Sequence, residues 1–90
     1  MPRYMVERTF PDGLHIPANA DGAGAMRRIV ATNAEEGVSW VHSYVTADKK
    51  RTFCVYDAPS PEAIRSVGAK NGVPVGDIHE VSVLDPYFYH

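Results

Sequence analysis

Trp40, His42 and Tyr44 stand at every second position, and Cys54 and Tyr56 resume that spacing ten residues after Tyr44. If both stretches are extended, each set falls on one face of its strand, because side chains alternate with a period of two. Imidazole and thiolate are donors for nickel, copper and zinc alike, and a carboxylate such as Glu7 can complete the coordination. The same groups also suit proton transfer, with His42 as general base and Tyr44 or Tyr56 orienting a polar substrate. Each has a plainer use as well. His42 can be a partly buried, hydrogen-bonded histidine and Cys54 a small buried residue. Glu7 can be half of an ion pair with Arg8 or a sheet neighbour, while Trp40, Tyr44 and Tyr56 can be packing residues. No HExxH or CxxC motif occurs, and His15, His79 and His90 read as solvated positions in a loop, an outer strand and a terminal segment.

Six elements must position these groups. Residues 4–10 alternate large and polar side chains and stop at Pro11-Asp12-Gly13, a strand followed by a turn signal. From Asn19 or Asp21 to Glu36, the positions Met26, Ile29, Val30, Asn33 and Ala34 recur at offsets of three and four, which predicts a helix ended by Gly37. Residues 38–46 and 52–58 are rich in valine, threonine and aromatics around a charged tip, and predict a hairpin. Ser60-Pro61-Glu62 opens a second helix, Asn71-Gly72 closes it, and Pro74 forbids its continuation. Residues 78–84 supply the last strand.

The order β-α-β-β-α-β, joined by right-handed crossovers, predicts an α+β fold of ferredoxin-like type, with both helices on one face of a four-stranded antiparallel sheet. The aliphatic set Val41, Val45, Phe53 and Val55 suits the helix-covered face, which leaves Trp40, His42, Tyr44, Cys54 and Tyr56 for the open one. That placement requires a register reached with an odd-length loop, such as His42 opposite Tyr56 and Tyr44 opposite Cys54. A two-residue turn at Asp48-Lys49 instead puts Cys54 on the face away from His42.

Ninety residues suffice for one domain, 1–90, and 44% hydrophobic content is too much for a disordered chain. A net charge of −2 with both signs scattered argues against nucleic acid and anionic membrane surfaces, which need concentrated positive charge. One cysteine excludes an internal disulfide, and no stretch has the apolar length of a membrane span, so a cytoplasmic protein is expected. A sheet face left open and the closing Tyr87-Phe88-Tyr89 both ask for cover, which predicts a homodimer with sheets face to face, a dimeric α/β barrel.

Residues 4–10, 33–44 and 52–59, with the segments Trp-x-His-Ser-Tyr and Phe-Cys-x-Tyr-x-Ala-Pro, resemble the bacterial domain of unknown function 4242 family. That family has a small nickel-binding protein as its better-described member. The resemblance spans nearly the whole chain and implies a dimeric, ferredoxin-like protein that binds nickel and has no established reaction. Two classes of function follow: a dimeric nickel-binding protein with His42, Cys54 and Glu7 as metal ligands, or a cofactor-independent barrel enzyme using His42, with Trp40, Tyr44 and Tyr56 around the ligand.

Overall fold

A computed structural model describes residues 1–14, 20–73 and 75–88. The elements are β1 (Arg3–Thr9), α1 (Ala20–Glu35), β2 (Ser39–Val45), β3 (Arg51–Asp57), α2 (Pro61–Asn71), β4 (Ile78–Val81) and a 3₁₀ turn at Pro86–Phe88. The expected β-α-β-β-α-β order is therefore observed. The last strand stops three residues earlier than its valine and leucine content suggested, since residues 82–84 pair with no neighbour. His15, Asn19, Pro74, Tyr89 and His90 lie outside the described residues.

The four strands are antiparallel in the order β2-β3-β1-β4. Val6, Ile64 and Val67 are fully buried, and Tyr4, Val38, Cys54, Tyr56 and Ala58 join them in one core between the sheet and the helices. Of the helix stripe expected on α1, Asn33 is buried, whereas Val30 is 53% exposed. α1 packs on β2 and α2. Its end is tied to α2 by Asn71 Nδ2 donating to Asn33 Oδ1 at 3.1 Å and by Lys70 Nζ lying 3.7 Å from Glu35 and 3.6 Å from Glu36.

α2 begins and ends as its sequence dictates. The Ser60 hydroxyl accepts from Ala63 N at 3.2 Å, proline occupies the first turn, and Gly72 takes the left-handed conformation at φ 68°. After α2 the chain returns along β1. Gly76 N donates to Glu7 O at 3.0 Å, and a Cβ at this glycine would stand 2.5 Å from the same oxygen, so only glycine permits the approach.

Candidate functional site

The hairpin tip fixes which side chains can meet. Thr46 O accepts from Lys49 N at 2.8 Å, and Lys49 adopts φ 60°, a left-handed conformation. Asp48 Oδ1 accepts from the Thr46 hydroxyl at 2.6 Å and from Lys50 N at 3.0 Å, which holds the turn. From this tip the pairs run Val45 with Thr52, Tyr44 with Phe53, Ser43 with Cys54 and His42 with Val55. A bulge then absorbs Val41, and the pairing resumes as Trp40 with Tyr56 and Ser39 with Asp57.

This is the register of a turn centred on Asp48-Lys49, and it corrects the expected faces. His42 opposite Tyr56 and Tyr44 opposite Cys54 do not occur. Cys54 and Tyr56 belong to the helix-side core, and Trp40 packs against it because the bulge turns Trp40 to the face opposite His42. The Trp40 indole donates to Ser43 Oγ at 2.8 Å. Cys54, 7% exposed, directs its thiol to Thr52 Oγ1 at 3.5 Å. Phe53 and Val55, expected under the helices, stand on the open face instead.

On that open face His42 and Tyr44 are exposed, with their rings edge to face at 5.1 Å between centroids. One cross-strand row runs His42, Val55, Met5, His79, and the next carries Tyr44, Phe53 and Glu7. Three strand spacings separate the two imidazole positions, about 14 Å, so side chains standing perpendicular to the sheet do not share one ion. Glu7 pairs with Arg51 at 3.4 Å rather than with Arg8, which the alternation sends to the other face.

Of the expected ligands His42, Glu7 and Cys54, the first two therefore share a face without touching, and the third is behind the sheet. Among the described residues no three histidine, cysteine, aspartate or glutamate side chains gather to hold a metal. The described residues of one chain do not by themselves fit a closed nickel centre. The enzyme arrangement loses its geometry as well, since Tyr56 and an apolar hollow beside it are on the face away from His42.

That hollow lies between α1 and the sheet, with a volume of about 290 Å³, and Met26 and Ile29 of α1 face Trp40, Ser43, Thr52, Cys54 and Tyr56 across it. Arg8 is on its wall and only 4% exposed. The guanidinium carbon sits 5.5 Å from the centroid of the Tyr56 ring, while Nε and Nη1 have no hydrogen-bond partner among the described residues. Burial pushes the Tyr56 phenol above its ordinary pKa, and the charge of Arg8 opposes that shift. Arg8 was open to discovery from sequence, because Tyr4, Val6 and Arg8 share one phase of the strand, and a cation in phase with core residues is unusual.

A family model described as Nickel responsive protein SCO4226-like matches residues 4–81. It carries that description rather than the 4242 designation suggested by the resemblance. No curated protein matches the chain. The crystal structure of SCO4226 from Streptomyces coelicolor A3(2) superposes with a TM-score of 0.71 at 22% identity, over 92% of this chain and 99% of that one, which establishes the common ferredoxin-like fold.

Proposed function

This chain belongs to the nickel-responsive SCO4226-like family, and from that membership we propose that it is a small nickel-binding protein acting as a cytoplasmic homodimer. The observation that carries the reading is the placement of His42 and His79, the two histidines among the described residues, both exposed on the sheet face that no helix covers. Imidazole suits nickel, and a face whose donors stand too far apart within one chain can complete a coordination sphere when a second copy faces it. Apolar surface on the same side, with Tyr44 60% exposed beside the half-buried Phe53, favours the pairing of two sheets into a dimeric α/β barrel. Cys54, behind the sheet, is left out of the donor set.

Equilibrium dialysis against nickel, with wild type, His42→Ala, His15→Ala and Cys54→Ala, tests the assignment. Stoichiometric binding lost in His42→Ala and kept in the other two supports it. Loss confined to His15→Ala moves the site to the loop, and no specific binding by wild type overturns the reading. Nickel competes with protons for imidazole, so binding weakens on acidification.

A further inference from the structure

We infer that the cavity between α1 and the sheet binds a small organic monocarboxylate with an apolar body, its carboxylate held by Arg8. The cavity, about 290 Å³, is walled by Phe10, Leu14, Met26, Ile29, Trp40 and Val73, apolar groups with no claim on a charged ligand. Arg8 is the exception. It is 4% exposed, and among the described residues Nε and Nη1 lack an acceptor and no ion pair includes it. A buried lysine can shed its proton to escape this position, but a guanidinium keeps its charge, and an anion from outside supplies the acceptor that the described residues do not.

The lining says which anion. One positive charge in an apolar hollow matches one negative charge. A phosphate dianion would bring a second charge and a larger hydration shell that these walls do not replace. The guanidinium carbon lies over the Tyr56 ring and the Tyr56 hydroxyl is a hydrogen-bond partner of Arg8, which leaves Nε and Nη1 as the N–H groups for an oxygen acceptor. Ser43 Oγ already accepts from the Trp40 indole, so its own proton remains to be donated, and Thr52 and Asn71 add polar groups to the wall. Nε and Nη1 are themselves closed off from water. Binding therefore includes a side-chain adjustment at the wall, for which the unbranched Met26 is suited.

This site is separate from the proposed nickel donors, which stand on the opposite face, and the test keeps the two apart by including a chelator throughout. Trp40 is the chain's one tryptophan and lines the cavity, so its fluorescence reports occupancy. The probes are 3-phenylpropanoate, its uncharged amide and inorganic phosphate, titrated into wild type and Arg8→Met. The expected result is a saturable one-to-one change with the acid, weaker by about tenfold or more with the amide and with Arg8→Met, and absent with phosphate. Equal binding of acid and amide, binding of phosphate in place of the acid, undiminished affinity in a folded Arg8→Met, or no saturable change with the acid each overturns the proposal. If Arg8→Met fails to fold, the comparison of acid with amide on wild type decides alone.

Discussion

Arg8 and His42, the residues on which the two proposed sites rest, face opposite sides of one sheet. A buried charge without a partner is costly, so Arg8→Met, of similar length and no charge, is expected to raise the stability of the ligand-free protein by about 1–3 kcal/mol in urea unfolding. A loss of stability instead would mean that the guanidinium is already paired. Acid behaviour is decided elsewhere. The hydrogen bonds from Arg3, at 2.9 and 3.1 Å, hold the Asp57 carboxyl below its ordinary pKa, with desolvation working against them and the charge of Arg3 adding to them. A hydrogen bond from Ser66, then the charge of Lys70, does the same for Glu36, and the Thr46 hydroxyl and Lys50 N–H for Asp48. A carboxyl depressed in the folded state contributes stability that is fully present above the unfolded value of about 4 and is lost as pH falls through the lower folded value. Unfolding curves for wild type and Asp57→Asn should therefore differ at neutral pH and converge on acidification below about pH 4.

At the scale of elements, the bulge at Val41 and the turn at Lys49 decide which side chains become neighbours. Lys49 sits at φ 60°, where a Cβ is unfavourable, so Lys49→Gly is expected to stabilise the hairpin by about 0.5–1 kcal/mol in thermal unfolding. Gly76→Ala should do the reverse, costing about 1–3 kcal/mol, because the added methyl meets the backbone oxygen of Glu7. The order of elements, the α2 caps and the crossover topology were all legible, because each rests on local signals: alternation, helical spacing, Ser60-Pro61 and Gly72. The faces were not. A bulge leaves no mark on a stretch such as Ser39-Trp40-Val41-His42, and a one-residue change of register reverses every side chain beyond it. The grouping of His42 with Cys54 failed at the hairpin turn, whose register pairs His42 with Val55 and Ser43 with Cys54 before the bulge is reached. The bulge then carries Trp40 to the face away from His42. Glu7 lies on the His42 face because β1 pairs with β3 without interruption.

For the molecule as a whole, the open questions of surface and metal converge. No helix among the described residues is long and apolar enough to cross a membrane. Yet Leu84 and Tyr87 are 80% and 87% exposed, beyond the end of β4. Together with the sheet face away from the helices they fit the proposed contact with a second copy, and Leu84→Ser with Tyr87→Ser should weaken that proposed dimer by about tenfold or more in sedimentation equilibrium, as expected for apolar contacts of this size. Native mass spectrometry of the untagged protein loaded with nickel reads assembly mass and metal count together, and so tests the central claim most directly. The account predicts a dimer carrying a fixed whole number of nickel ions, which His42→Ala fails to retain. A monomer at high micromolar concentration, or a His42→Ala protein that keeps the full complement of nickel, would contradict it.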